Sequence, residues 1–179
     1  EAAIEAILEG PDPAPARRPA GRTRDCSKRA SEYLDFLEGF SRPLKGMKIV
    51  ADCGHGAASA FAGPLFRRLG AKTVILNAKP DGRNINAGCG ALHPEGLARA
   101  VLAERADAGV AFDGDADRAI FVDETGEVRD GEHVLALAGL HLKAKRRLPG
   151  DVVVSTVMAN FGLERHLAAH GITLRRTKV

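Results

Sequence analysis

The stretch Val110-Ala111-Phe112-Asp113-Gly114-Asp115-Ala116-Asp117-Arg118-Ala119-Ile120-Phe121-Val122 sets two apolar runs around a loop with an aspartate at every second position. Each run reads as a buried strand. In an extended loop, alternate side chains leave on the same side, and slight curvature brings Asp113, Asp115 and Asp117 to one point. Two bare carboxylates ~5 Å apart repel by roughly 3 kcal/mol at an effective dielectric of ~20. A divalent cation between them turns that repulsion into binding. Hard oxygen donors suit Mg²⁺, which keeps further positions for water or phosphate. Arg118 follows directly, and a guanidinium fits phosphate oxygens in bidentate geometry. Metal and arginine at a strand end point to phosphoryl chemistry.

Three other readings compete. Asp113, Asp115, Asp117 and Glu124 occupy the first, third, fifth and twelfth positions of a calcium EF-hand loop, but the sixth, where that loop turns on glycine, is Arg118. An aspartyl-phosphate phosphatase also places Asp-x-Asp after an apolar strand, with the first aspartate as nucleophile. It wants a small hydroxyl or β-branched residue where Asp117 stands. The plainest option is a solvated acidic turn, which the apolar flanks disfavour.

Asp-Gly-Asp-Ala-Asp-Arg at 113–118 resembles the metal loop of the α-D-phosphohexomutases. Pro80-Asp81-Gly82-Arg83-Asn84-Ile85-Asn86 and Cys89-Gly90-Ala91-Leu92-His93-Pro94-Glu95 are similar to the glucosamine-phosphate branch of that family. So are Thr156-Val157-Met158-Ala159-Asn160-Phe161-Gly162-Leu163-Glu164 and the closing Thr177-Lys178-Val179. The resemblance runs from about Gly21 to the last residue. It implies Mg²⁺ held by Asp113, Asp115 and Asp117, with Arg118 as the catalytic residue that holds the transferring phosphate. It further implies a phosphosugar substrate, glucosamine 6-phosphate converted to glucosamine 1-phosphate through a phosphoserine and a bisphosphate, as a step toward cell-wall precursors. The family's phosphoserine sits in a Thr-Ala-Ser-His-Asn-Pro-like loop, and this sequence contains no Ser-His pair. Its Glu-x-Ser-Gly-His sugar loop and C-terminal phosphate loop are also missing. The chain alone is therefore expected to bind Mg²⁺ weakly and to show no mutase activity. A non-catalytic metal-binding or assembly module is the alternative from another class.

Composition agrees with a globular chain: 45% hydrophobic and 27% charged residues over 179 positions. A net charge of +3 from scattered basic residues, with 4% aromatics, gives no footprint for nucleic acid. Cys26, Cys53 and Cys89 lack metal-finger spacing and read as reduced thiols. The acidic, alanine-rich start is no signal peptide, and no apolar run reaches membrane-spanning length. A cytoplasmic chain is the expectation, without nucleic-acid or membrane partners, and a homo-oligomer is among the options left open.

Glu1 opens inside an apparent helix without an initiator Met, and Val179 follows a strand-like run, so a piece of a longer protein is expected. Residues 1–24 read as the end of a preceding domain plus a Pro/Ala/Arg linker from Gly10 to Gly21. Residues 25–128 read as an α/β metal-loop domain, a mixed sheet flanked by helices. It holds a helix Asp25–Phe40, with Tyr33, Leu34, Leu37 and Phe40 as its apolar face, and a strand Met47–Cys53. A helix to about Gly70, kinked at Pro64, leads to a strand Lys72–Leu76. Gly54 and Gly56 start a dinucleotide-like fingerprint that fails at Ser59, so a tight turn is preferred, with His55 a weak metal or catalytic candidate. The long loop Asn77–His93 precedes a helix to Ala106, then strands Ala108–Phe112 and Ala119–Asp123. Cys89 has no visible base and is not a nucleophile candidate. Residues 129–179 read as the first part of a second α/β domain: a helix Gly131–Arg147 with a basic tail favouring its negative pole, a strand Val152–Thr156, a helix Asn160–His170 and a strand Ile172–Arg175.

Overall fold

The computed structural model describes residues 2–11, 21, 22, 26 and 29–179. They fall into two compact units, 1–33 and 34–179. In the first, helix α1 (Ala2–Leu8) buries none of its side chains. Most of the expected linker, residues 12–20, lies outside the described residues, as do Glu1 and Asp25.

The helix expected from Asp25 is shorter. Helix α2 spans Ala30–Phe40, and Cys26 stands before it with its carbonyl accepting the Arg29 N–H at 2.9 Å. The expected apolar face is also narrower: Leu34 is buried, whereas Tyr33 and Phe40 are exposed and Phe40 meets Phe36 edge-to-face at 4.9 Å.

Five strands form a mixed sheet: β1 (Lys48–Asp52), β2 (Lys72–Leu76), β3 (Ala108–Phe112), β4 (Ala119–Asp123) and β5 (Val128–Arg129), in the order β2-β1-β3-β4-β5. Strand β1 runs parallel to β2 and β3, while β3, β4 and β5 form an antiparallel meander. Alternation along β1 and β3 splits the core in two. Ile49, Ala51 and Val110 face Ala58, Ala62 and Phe66 on one side, and Val50, Ala111 and Val122 face Leu97 and Val101 on the other. Helix α3 (Ala62–Arg68) belongs to the first layer and α4 (Glu95–Glu104) to the second. The chain thus leaves β1 toward β2 and returns across it to β3. That reversal puts the switch point of the sheet at the carboxyl ends of β1 and β3, the usual place for a site in such sheets.

The expected kink at Pro64 is not one. A 3₁₀ turn (Ala57–Ala60) ends and α3 starts afresh, placing Pro64 in the first turn, where a missing N–H leaves no helical bond unmade.

The remaining elements are helix α5 (Gly131–Ala144), β6 (Val152–Thr156), α6 (Phe161–Ala169) and β7 (Thr173–Thr177). Strands β6 and β7 pair in parallel over a core of Val153, Leu163, Leu167 and Ile172. Helix α5 starts on Asp130, whose side chain accepts the Glu132 and His133 N–H groups. It ends three residues earlier than expected. Arg146 turns left-handed (φ 54°), with Arg146 N–H on the Lys143 carbonyl and Arg147 N–H on that of Leu142. Of the basic tail only Lys143 remains in the helix, and its Nζ binds Asp151 at 2.9 Å and the Gly171 carbonyl at 2.7 Å. No helix among the described residues is long and apolar enough to cross a membrane.

Candidate metal centre

The last pair of the β3–β4 ladder is Phe112 with Ala119, so residues 113–118 form the loop between them. It curls rather than extends. The Ala116 N–H donates to the Asp113 carbonyl at 3.1 Å, and Ala116 takes the left-handed conformation at φ 61°. This turn, not strand-like alternation, brings Asp113, Asp115 and Asp117 together, with one oxygen from each within 4.8 Å of the others. Among the described residues they are the one group of three or more acidic, histidine or cysteine side chains gathered this closely.

Arg118 lies on this cluster. Its Nε donates to Asp113 Oδ2 at 2.8 Å and its backbone N–H to Asp113 Oδ1 at 3.1 Å, while Asp117 Oδ1 is 3.5 Å from Nε. Asp113 is buried, whereas the Arg118 and Asp117 side chains are each 68% exposed. Burial resists ionisation of Asp113, yet the Arg118 hydrogen bonds prevail and hold its carboxyl below the usual range. Asp117 moves the other way, because it shares a hydrogen bond with Asp113 and feels the Asp115 charge. One arginine does not neutralise three carboxylates, and a divalent cation would balance the remaining charge. Oxygens about 2.1 Å from Mg²⁺ lie about 3–4 Å apart in an octahedron, so small side-chain rotations suffice to close the trio. The donor set fits.

The loop is braced from two sides. Gly56 touches Gly114 backbone to backbone, and the Ala57 N–H donates to the Gly114 carbonyl at 2.8 Å. A Cβ at Gly56 would fall onto the Gly114 carbonyl group. From the other side, Ile85 and Asn86 cover Gly114. Sequence reasoning passed over Asp52, a buried carboxylate ending β1. Its Oδ1 accepts the Gly54 N–H at 2.9 Å and its Oδ2 the Gly90 N–H at 3.1 Å, tying the long loop to the rim of the sheet. The available signal was an aspartate closing an apolar strand ahead of Cys-Gly.

His55 is not part of the cluster. It sits left-handed at φ 51°, and its Nδ1 accepts the Lys79 N–H at 3.2 Å, so its ring fastens the start of the Asn77–His93 loop. Cys53 and Cys89 are buried, and desolvation with Asp52 nearby pushes both thiols up, Cys53 to about 11. Neither is poised for nucleophilic attack. The EF-hand reading fails on the flanks, which are paired strands rather than helices.

The phosphoglucomutase/phosphomannomutase α/β/α domain II matches residues 31–126, and domain III of the same enzymes matches residues 130–179. A phosphoglucosamine mutase from Symbiobacterium thermophilum is 49% identical over 179 residues, covering 98% of this chain and 40% of the relative. One from Solibacter usitatus is 53% identical over 149 residues, covering 83% and 33%. The chain therefore spans well under half the length of these curated relatives. Among solved structures, a phosphoglucomutase/phosphomannomutase family protein from Burkholderia thailandensis superimposes with a TM-score of 0.71 at 28% identity, covering 84% of this chain and 33% of that one. An N-acetylphosphoglucosamine mutase variant from Aspergillus fumigatus, complexed with glucose 1,6-bisphosphate, shares the fold at a TM-score of 0.55 and 23% identity, covering 82% and 30%.

Proposed function

The chain belongs to the phosphoglucomutase/phosphomannomutase family, and from that premise we propose that it is the metal-loop portion of a phosphosugar mutase interconverting glucosamine 6-phosphate and glucosamine 1-phosphate. The sugar is argued from the relatives' activity, since they are phosphoglucosamine mutases at 45–53% identity. The setting is the cytoplasm, on a route to cell-wall precursors. The phosphoryl group moves through a phosphoserine and a bisphosphate, and the serine lies in a part of the protein outside this sequence.

One observation carries the reading: three carboxylates within 4.8 Å of one another, with a guanidinium bonded to the innermost. Asp113, Asp115 and Asp117 would hold Mg²⁺. When bound, the ion supplies charge stabilisation to the oxygens of a transferring phosphoryl group. Asp113 is the fixed member, buried and gripped by Arg118, while the two exposed aspartates can adjust to a ligand. Arg118 is the catalytic residue of this segment. Asp113 engages it through Nε and leaves its side chain largely exposed for phosphate oxygens. The site at the carboxyl rim of β1 and β3 is open to the partner segments that bring phosphoserine and sugar.

A phosphatase using Asp113 as nucleophile is disfavoured, because both Asp113 oxygens accept bonds from Arg118 and the side chain is buried. The test is made in the intact protein, following turnover of glucosamine 6-phosphate and Mn²⁺ binding by electron paramagnetic resonance. Asp115→Asn is expected to weaken Mn²⁺ and reduce turnover by at least about 100-fold, and Arg118→Gln to reduce turnover with Mn²⁺ retained. Unchanged turnover in Asp115→Asn, or beryllofluoride trapped on Asp113, overturns the assignment. The 179-residue chain by itself should bind the metal weakly and show no turnover.

A further inference from the structure

We propose that Asn86 is a positioning residue for the metal loop, holding the Asp113–Asp117 carboxylates in register from outside the site; this rests on the metal-binding reading above. Gly114 separates the ligands Asp113 and Asp115. The space where its side chain would stand is taken by Ile85 Cδ1 and Cγ1, 2.6 and 2.9 Å from an ideal Cβ, and by Asn86 Nδ2 at 3.0 Å. The other end of the same amide, Asn86 Oδ1, lies 3.0 Å from the Cβ position of Gly54 and 3.3 Å from that of Gly90. One side chain therefore wedges between the β1 rim, the end of the long loop and the backbone of the metal loop.

Asn86 is itself fixed. Its N–H donates to the Gly54 carbonyl at 2.8 Å, and its backbone is left-handed at φ 55°, which asparagine tolerates better than most residues. Through the Asp52 bonds to Gly54 and Gly90, the wedge is anchored to the last residue of β1. With Gly56 also packed on Gly114, the loop is held by two neighbours rather than left to its own turn. Removing the wedge frees Gly114 to shift, and the aspartates on both sides move with it.

Asn86→Gly is the decisive variant, since glycine accepts the left-handed backbone while deleting the side chain. In the intact protein, Mn²⁺ affinity by electron paramagnetic resonance and amide hydrogen exchange of residues 113–118 are compared with the parent, alongside the melting temperature. The expected result is about tenfold weaker Mn²⁺ and at least about tenfold faster exchange in the loop, with a melting temperature within about 3 °C. Unchanged affinity in a parent that binds Mn²⁺ overturns the proposal, as does unchanged loop exchange. A parent that binds no Mn²⁺ refutes the metal-binding reading instead, and the exchange comparison still decides the role of Asn86. Asn86→Gly with a collapsed melting temperature and unaltered exchange in the surviving folded state makes the residue merely structural and also overturns it.

Discussion

Replacing Gly56 with alanine tests the packing at the rim most directly. The backbone there is extended (φ −110°, ψ −155°), so alanine meets no conformational penalty and its methyl group is the whole perturbation. That methyl would fall on the carbonyl group and Cα of Gly114, all backbone atoms without a rotamer to yield. The β1 turn and the metal loop must separate, breaking the 2.8 Å bond from the Ala57 N–H to the Gly114 carbonyl. Overpacking costs about 1–3 kcal/mol, and the lost hydrogen bond about 0.5–1.5 kcal/mol. Together, roughly 2–4 kcal/mol at about 2–4 °C each lowers the melting temperature by roughly 5–15 °C. Scanning calorimetry gives the shift, and Mn²⁺ titration of the folded variant should show weakened binding. A melting temperature within about 2 °C of the parent, with normal Mn²⁺ affinity, would show that the two backbones are not in contact and refute the reasoning.

Two further outcomes are expected. With an aromatic disulfide reagent at pH 8, only exposed Cys26 reacts quickly in the folded chain, because burial pushes Cys53 to about 11 and raises Cys89; all three react in denaturant. Asp123 is held well below the ordinary carboxylate range, first by the Thr125 hydroxyl and also by Arg129, against the cost of desolvation. Its folded value is depressed, so its stabilisation is present above the unfolded carboxylate value and is lost as pH falls through the folded one. Asp123→Asn should therefore lower the midpoint of urea unfolding at pH 7, with the gap narrowing below about pH 4; a gap independent of pH contradicts the assigned cause.

Strands β1 to β4 were legible because short apolar runs announce themselves, and β2, β3, β4 and β6 begin and end where the sequence implies. Helix ends were not. Helices α4 and α5 close on Arg105 and Arg146 in the left-handed conformation, a place where glycine is the usual signal and arginine gives none. The acidic trio was legible because its spacing lies within one loop. Its bracing was not, since Asp52 reaches Gly90 across 38 residues and Gly56 meets Gly114 from another strand end. Arg118 was read for phosphate alone, and its grip on Asp113 emerges only once the loop curls.

The left-handed alanine at 116 has a practical consequence for anyone seeking a hardier protein. A methyl group in that conformation costs roughly 1–2 kcal/mol, while glycine's extra freedom in the unfolded chain gives back about 0.5–1 kcal/mol. Selection for heat resistance alone would drift toward Ala116→Gly, and the gained degrees would come with a hinge set between two acidic side chains. A library screened on survival at high temperature should keep alanine at that codon fixed, or its winners will outlast the parent while loosening the turn that gathers the three carboxylates.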